Sequence, residues 1–132
     1  MKSLLFLFLS ISAIAADKKK PDYPTDVRVE VDVSYLDDTR KEKADLYFPK
    51  ELFASAPVPA VIWIHGGGFN DGDKAKGRET NFCHEMALHG YFAMSINYKL
   101  RRMDGQVTWP QNLYDAKTAV RWLRANAVKY GI

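Results

Sequence analysis

The sequence has very little cysteine, with Cys83 as the single one among 132 residues. One cysteine cannot form a disulfide within the chain, so the hydrophobic core alone must stabilise the fold. An excess of charge of one sign is also missing, because 19 basic and 16 acidic residues leave a net charge of only +3. This near balance argues against a nucleic-acid partner, and we interpret the lysines at 18–20 as a solvated flank.

Long hydrophobic runs are scarce except at the N terminus. Residues 4–11 are largely apolar, follow the basic residue Lys2, and precede small residues that suit signal peptidase. The run is too short for a membrane-spanning helix, which needs about 20 residues. We therefore predict a signal peptide over residues 1–15, cleaved after Ala15, and a secreted or periplasmic protein without a stable membrane span. An uncleaved N-terminal anchor is the alternative.

The chain as a whole has the composition of a soluble globular protein, with 47% hydrophobic and 27% charged residues. Residues 16–26 are polar and contain two prolines, which predicts an exposed lead-in. Apolar and polar residues alternate from Val27 to Tyr35 and predict a half-buried strand, and a second short strand over 44–48 is close enough to pair with it antiparallel. Residues 58–64, "VPAVIWI", lack this alternation, as is typical of a strand buried on both faces.

Helical spacing follows in two later segments. The pattern predicts one helix over residues 79–89 and a strand over residues 91–98. It also predicts a long helix that begins at Pro110 and ends at Gly131. Five apolar residues of the long helix fall on one side: Leu113, Ala116, Val120, Leu123 and Ala127. Strands that alternate with helices predict an α/β fold, with a mostly parallel sheet, an antiparallel opening pair and helices on both faces.

Three consecutive glycines at 66–68 directly follow the apolar strand. Ligands of open α/β sheets bind beyond the carboxyl ends of the strands, and glycines let backbone N–H groups converge on a phosphate or on a developing oxyanion. The phosphate motifs fail, because Asp73 stands where a P-loop needs lysine and Asp71 interrupts the dinucleotide pattern G-x-G-x-x-G. The pattern therefore favours an oxyanion hole.

The segment HGGGF, residues 65–69, resembles the HGGG motif of α/β-hydrolase esterases and lipases. The segment NYKL, residues 97–100, is similar to the DYRL segment of these enzymes, and residues 109–132 are similar to the helix before their nucleophile. Three residues match that helix: Asp115, Arg121 and Trp122. The resemblance covers residues 27–132 and is strongest to secreted esterases of the feruloyl-esterase-like and hormone-sensitive-lipase-like groups.

This resemblance implies a serine carboxylic-ester hydrolase that acts on a small-molecule or polysaccharide-linked ester and needs no cofactor or metal. Gly67 and Gly68 would donate their N–H groups to the oxyanion, and His65 would support the loop. The family's nucleophile lies in G-x-S-x-G, but no serine of this sequence has glycine flanks. We therefore expect an N-terminal, inactive part of the enzyme that lacks the nucleophile, acid and base. A non-catalytic binding domain and an amide or arylformamide hydrolase are the alternatives.

Other reactive residues favour structural roles. His84 and His89 are five residues apart, so they do not share a helix face and we expect no metal site. We interpret Cys83 as a buried core thiol. Three aromatic residues could line a substrate pocket, although core packing is the interpretation that we favour: Phe69, Trp109 and Tyr114.

The resemblance also implies a sheet order that begins 1-2-4-3-5. In that order the strand at 58–64 pairs on one side with the strand at 91–98, and its other side awaits a fifth strand. An apolar edge strand invites association, so we expect the 132-residue chain to self-associate through this edge.

Overall fold

The computed structural model describes residues 21–50, 57–101 and 108–132. The elements in chain order are the strands β1 (Val29–Val33), β2 (Ala44–Tyr47) and β3 (Ala60–Ile64), the helix α1 (Gly77–Leu88), the strand β4 (Phe92–Ile96), and the helices α2 (Gln111–Ala125) and α3 (Ala127–Tyr130). This alternation confirms the predicted α/β fold. The predicted signal peptide lies outside the described residues.

The four strands form one sheet in the order β1-β2-β4-β3, which confirms the first four places of the expected order. β1 pairs antiparallel with β2, β2 pairs antiparallel with β4, and β3 pairs parallel with β4. The described part of the sheet is therefore mixed. Two of its three pairings are antiparallel, and the first of them, between β1 and β2, arises because these strands are joined by a connection too short for a crossover helix.

Both faces of the sheet are covered by helices, as predicted. Cys83 and Ala87 of α1 pack on one face against Tyr47 and Ala93. The other face is covered by α2 and α3, whose buried side chains join a larger cluster from β2 and β4: Ala119, Leu123 and Tyr130 with Leu46, Met94 and Ile96. Burial of this apolar area on two faces is the main source of stability in a chain without a disulfide.

The central strand is β4, in which every side chain is buried. The prediction that the strand at 58–64 is buried on both faces is wrong within the described residues, where β3 pairs with β4 alone. Ile64 at its end is 49% exposed, and its other side chains are partly or largely exposed. An apolar run shows that a strand can be buried, but it does not show which elements lie beside that strand. The sequence alone therefore overestimated the burial of β3.

The alternation predicted over residues 27–35 breaks in the middle of β1. The register shifts between Glu30 and Val33, Asp32 has a φ of 57°, and Val31 is exposed. Aspartate tolerates this left-handed conformation better than most residues. In this conformation, the N–H of Asp32 donates a 2.9 Å hydrogen bond to Oδ1 of Asp45.

The lead-in is not fully exposed either. Tyr23 is partly buried, packs against the α1-side core, and donates a 2.7 Å hydrogen bond from its hydroxyl to Oδ2 of Asp45. Composition predicted a polar segment correctly but could not show that one aromatic residue docks on the sheet.

The long C-terminal helix also differs from its prediction. It is interrupted at Asn126, whose side-chain amide donates to the carbonyl of Trp122. The buried residues of α2 are Asn112, Asp115, Ala119 and Leu123, whereas Val120 is exposed. The helix is thus rotated from the orientation that apolar spacing predicted, and a fully buried aspartate occupies its inner face.

Asp115 explains that rotation. Its carboxylate accepts hydrogen bonds from both terminal nitrogens of Arg40, at 3.1 and 2.7 Å, from the N–H of Lys99 at 2.9 Å and from Nε2 of Gln111 at 2.9 Å. The bound carboxylate of Asp115 raises the pKa of Arg40 against the opposing effect of burial. This network ties α2 to the segment that leaves β4.

We predict that Asp115→Asn lowers the free energy of unfolding by about 1–3 kcal/mol, because it removes the fully buried carboxylate that pairs with Arg40 and leaves the guanidinium with Glu42 as its remaining carboxylate partner. Arg121→Gln, an exposed change on the same helix, should stay within about 0.5 kcal/mol of wild type. Urea unfolding followed by tryptophan fluorescence measures both. Equal stability of the two variants would contradict a buried ion pair at Asp115.

We predict that the 132-residue chain self-associates through the side of β3 that has no neighbouring strand among the described residues, because an apolar edge strand presents unpaired N–H and C=O groups. Ile64→Lys should shift the chain toward monomer in light scattering coupled to sizing chromatography, since a lysine opposes edge-to-edge pairing. Val128→Lys removes another exposed apolar side chain, on α3, and should leave the association unchanged. A wild-type chain that is monomeric at all concentrations would contradict the prediction.

Candidate active site

The three glycines lie in the loop that follows β3, at one edge of the sheet. β3 and β4 are parallel and in register to their last residues, Ile64 and Ile96, so His65 and Asn97 leave the sheet side by side. Residues 66–68 are exposed to solvent. The loop therefore occupies the edge where α/β proteins bind ligands.

His65 is the buried support of this loop and is only 3% exposed. Its ring stacks on that of Tyr98 with centroids 4.5 Å apart, and its Nδ1 lies 2.8 Å from the carbonyl oxygen of Gly66, to which the Nδ1-protonated tautomer donates. The Tyr98 hydroxyl donates a 2.8 Å hydrogen bond to the carbonyl of His65, and burial raises the pKa of Tyr98, which keeps that donor protonated. Nε2 of His65 is buried without a partner among the described residues.

The backbone of the glycine loop takes conformations that favour glycine. Gly67 has a φ of 123° and Gly68 a φ of 60°. The carbonyl of Gly67 accepts hydrogen bonds from the N–H groups of Asn70 and Asp71, at 3.1 and 3.2 Å. A Cβ on Gly67 would lie 1.9 Å from the carbonyl oxygen of Asp71, so no larger residue fits this turn.

The N–H groups of Gly67 and Gly68 donate to no acceptor within the described parts of the chain. Backbone donors are ordinarily paired when they are not needed for a ligand, apart from those that face water. Two exposed, neighbouring amides are therefore available to an anionic group.

Gly72 completes the loop and was missed by sequence reasoning. Its φ is 124°, and a Cβ there would lie 2.0 Å from Nδ1 of His65 and 2.5 Å from the carbonyl oxygen of Gly66. The return limb of the loop, residues 71–74, thus packs its bare backbone onto the histidine. The dipeptide Asp71-Gly72 signals a turn, but its approach to His65 exists only in three dimensions.

The segment that leaves β4 holds both limbs. Asn97 donates from Nδ2 to Asp73 at 3.0 Å and accepts at Oδ1 from the N–H of Lys74 at 2.7 Å. Further along, the N–H of Arg101 donates to the carbonyl of Phe69 at 2.7 Å. The resemblance to a DYRL segment singled out this region, and the structure shows what it does: it fixes the glycine loop from the side.

Two open clefts border the loop. One, of about 510 Å³, lies on the β4 side and is lined by Gly72, Asp73, Asn97, Tyr98 and Lys99 among others. The second, of about 370 Å³, lies on the α1 side and is lined by Gly66, Gly67, Gly72, Arg78 and Glu79 among others. Both are within the size range of small-molecule sites.

The remaining reactive residues have structural roles. Cys83 is fully buried, which confirms the core interpretation, and burial raises its pKa to about 12, so it holds no thiolate at neutral pH. His84 lies 2.7 Å from a carboxylate oxygen of Asp26, and Nδ1 of His89 lies 2.7 Å from the carbonyl of Glu85. No group of three possible ligands is placed to hold a metal ion among residues 21–50, 57–101 and 108–132.

Neither described serine is placed as a nucleophile. Ser95 is fully buried and donates a 2.8 Å hydrogen bond to the carbonyl of Lys74, and Ser34 accepts from the ammonium of Lys43. A serine nucleophile needs a histidine within hydrogen-bond reach, and neither residue has one.

The core-packing interpretation of three aromatic residues is wrong: Phe69, Trp109 and Tyr114 are each more than half exposed. Phe69 lies on the glycine loop with a φ of 63° and packs only edge-on against Tyr98. Tyr114 points outward because its neighbour Asp115 takes the inner side of α2. Of the three, Phe69 lies on the glycine loop itself.

The model of the BD-FAE family matches residues 44–132. The match takes in β2, the glycine loop, β4 and the three helices, which includes every residue of the candidate site described above.

Curated relatives match over most of this chain. The probable carboxylic ester hydrolase LipM of Mycobacterium tuberculosis is 29% identical over 100 residues, which make up 76% of this chain and 22% of LipM. Esterase LipC of the same organism is 32% identical over 99 residues, 75% of this chain and 23% of LipC. The chain thus spans less than a quarter of the length of these two relatives.

Solved structures share the architecture. Esterase B from Lactobacillus rhamnosis is 30% identical with a TM-score of 0.63, over 85% of this chain and 34% of that one. Esterase 2 of Thermogutta terrifontis, phosphoramylated by tabun, is 28% identical with a TM-score of 0.67, over 87% of this chain and 41% of that one. The four-stranded sheet and its helices are therefore part of an α/β-hydrolase fold, and the chain belongs to the BD-FAE family.

Proposed function

We propose that this chain supplies the oxyanion-hole segment of a serine carboxylic-ester hydrolase. The observation that carries the proposal is the pair of exposed N–H groups on Gly67 and Gly68, which have no acceptor among the described residues. They stand at the carboxyl end of β3, on a loop whose bare backbone is packed on His65. The family membership and the relatives named as esterases support the same chemistry.

The chemical role of the two amides follows from charge development. When a serine attacks an ester carbonyl, the carbonyl oxygen becomes an oxyanion in the tetrahedral intermediate, and donors already aimed at that position stabilise it. Each such donor contributes roughly 3–4 kcal/mol to the transition state. Water would have to reorient to do the same, whereas these amides are fixed by the turn at Gly67.

His65 supports the loop under this proposal and does not act as the base. Its Nδ1 is engaged with Gly66, its other ring nitrogen is buried, and its ring is stacked on Tyr98. A general base must reach the nucleophile and exchange its proton with substrate or water. The serine, the acid and the base histidine therefore come from polypeptide outside these 132 residues, in which no serine has glycine flanks.

The substrate we propose is a small-molecule or polysaccharide-linked ester that reaches the loop from either cleft. The exposed aromatic side chain of Phe69, on the glycine loop, offers apolar surface to such a substrate. No cofactor or metal is required by this mechanism.

We predict that the complete polypeptide encoded by the reading frame containing these residues hydrolyses a short-chain 4-nitrophenyl ester, and that Gly67→Ala lowers kcat about 10²–10³-fold. The added Cβ collides with the carbonyl of Asp71 and turns the amides away from the oxyanion. Gly77→Ala is the matched control, because a Cβ at Gly77 meets nothing within 4 Å. Absorbance of released 4-nitrophenolate measures both variants.

Three outcomes would contradict this proposal in different ways. No ester turnover by the complete wild-type polypeptide would favour a non-catalytic binding domain. Turnover of the matching 4-nitroanilide or of an arylformamide in preference to the ester would favour an amide hydrolase. Measurable turnover by the 132-residue chain alone would show that the nucleophile lies within it.

We also propose that the protein is exported. The support is the sequence pattern of residues 1–15. Separately, no helix within residues 21–50, 57–101 and 108–132 combines the length and apolar character that a membrane crossing requires. We predict that the exported protein begins at Ala16, which N-terminal sequencing checks. Ala15→Arg should block cleavage and retain the larger form, whereas a mature protein that keeps Met1 would contradict a cleaved signal peptide.

A further inference from the structure

We propose that Lys74 is a positioning residue, which fixes the return limb of the glycine loop through a buried ion pair with Asp45. This inference rests on the proposed function only in its effect on catalysis. Lys74 is not placed to touch substrate, since its side chain points into the sheet, and nothing in the sequence motifs singles it out.

The side chain of Lys74 is only 7% exposed, which is rare for lysine. Its Nζ lies 2.7 Å from Oδ1 of Asp45, a fully buried residue in the middle of β2, and 2.9 Å from Oδ1 of Asp32. Burial alone lowers the pKa of Lys74, but the two carboxylates outweigh it and raise the pKa above its usual value, so the ammonium stays charged.

The backbone of the same residue is held as firmly as its side chain. The N–H of Lys74 donates to Oδ1 of Asn97 at 2.7 Å, and its carbonyl accepts from the hydroxyl of Ser95 at 2.8 Å. Lys74 is thus tied to β1, β2, β4 and the segment after β4 at once. Nothing else in the return limb reaches the sheet interior through a charged side chain within the described residues.

The anchoring of Lys74 determines the geometry of the proposed oxyanion donors because Gly72, two residues earlier, is packed against their loop. The backbone of Gly72 is packed against the ring of His65 and the carbonyl of Gly66, with no space for even a Cβ. A shift of the return limb therefore moves His65 or opens the turn at Gly67. A displacement of about 1 Å at a reacting group can cost about 10²-fold in rate.

Asp45 is built to receive this cation. Besides Lys74, its carboxylate accepts from the hydroxyl of Tyr23 at 2.7 Å and from the N–H of Asp32 at 2.9 Å. The bulge and the left-handed Asp32 in β1 interrupt an otherwise regular strand, and both serve this network. The irregularity of β1 thus coincides with the buried charge of Asp45, as is expected where a local pattern is broken at a functional or strained site.

The test uses the complete polypeptide with Lys74→Met, which keeps the length of the side chain and removes its charge. We expect kcat for the 4-nitrophenyl ester to fall about 10–100-fold with KM changed less than about threefold, since misaligned oxyanion donors weaken the transition state and not the ground state. Lys74→Arg retains the charge and should recover most of kcat.

A second measurement separates positioning from mere destabilisation and does not depend on ester turnover. Hydrogen–deuterium exchange read by mass spectrometry should show faster exchange over residues 65–74 in Lys74→Met. Leu123→Ala, on the opposite face of the sheet, is the control: it lowers stability by removing core contacts but should leave both kcat and exchange over residues 65–74 unchanged.

The outcomes are distinct for the two proposals. A wild-type protein without esterase activity but with loop exchange that responds to Lys74→Met would refute the proposed function and support the positioning role. Lys74→Met that loses stability like Leu123→Ala, with kcat and loop exchange unchanged, would overturn the positioning role and leave the proposed function standing.

Discussion

The contact on which the candidate site depends is that between the ring of His65 and the bare backbone of Gly72. The two limbs of the glycine loop are so close there that a single added carbon on Gly72 would lie 2.0 Å from Nδ1 of the histidine. The limb that carries Gly67 and Gly68 and the limb that returns to the sheet therefore cannot move independently. Tight packing of this kind makes the loop rigid as a unit, which preorganised donors require.

Two buried carboxylates hold the structure around this contact in similar ways. Asp45 binds the ammonium of Lys74, and Asp115 binds the guanidinium of Arg40. Each carboxylate also accepts a backbone N–H, from Asp32 and Lys99 respectively. Buried ion pairs contribute little net stability over apolar residues, because desolvation offsets their attraction. Here they fix position rather than add stability. Each ion pair holds one irregular segment in place, whereas apolar contacts, which have no preferred direction, would allow that segment to shift.

Sequence reasoning predicted the elements well and their surroundings less well. The HGGGF segment and the order of strands and helices were readable because glycine runs and apolar periodicity are local signals. Other features depend on tertiary neighbours, which local patterns do not encode. These features are the burial of β3, the identity of the inner face of α2, and the exposure of Phe69 and Trp109. Gly72 and Lys74 were missed for the same reason: one looks like an ordinary turn glycine and the other like an ordinary surface lysine until Asp45 and His65 are placed beside them.

The order of the sheet explains why the donors are steadied from β4 and not from their own strand. β3 is partly exposed and pairs with β4 alone among the described residues, so it is a poor reference for sub-ångström geometry. β4 is buried throughout, and β4 and the residues that follow it supply most of the hydrogen bonds to the glycine loop, through Ser95, Asn97, Tyr98 and Arg101. Asp45 of the neighbouring strand β2 adds the ion pair with Lys74. The proposed oxyanion donors are thus carried by one strand and positioned largely by its neighbour. Such a division leaves Gly67 and Gly68 exposed while the backbone of their loop is held by a strand that is buried throughout.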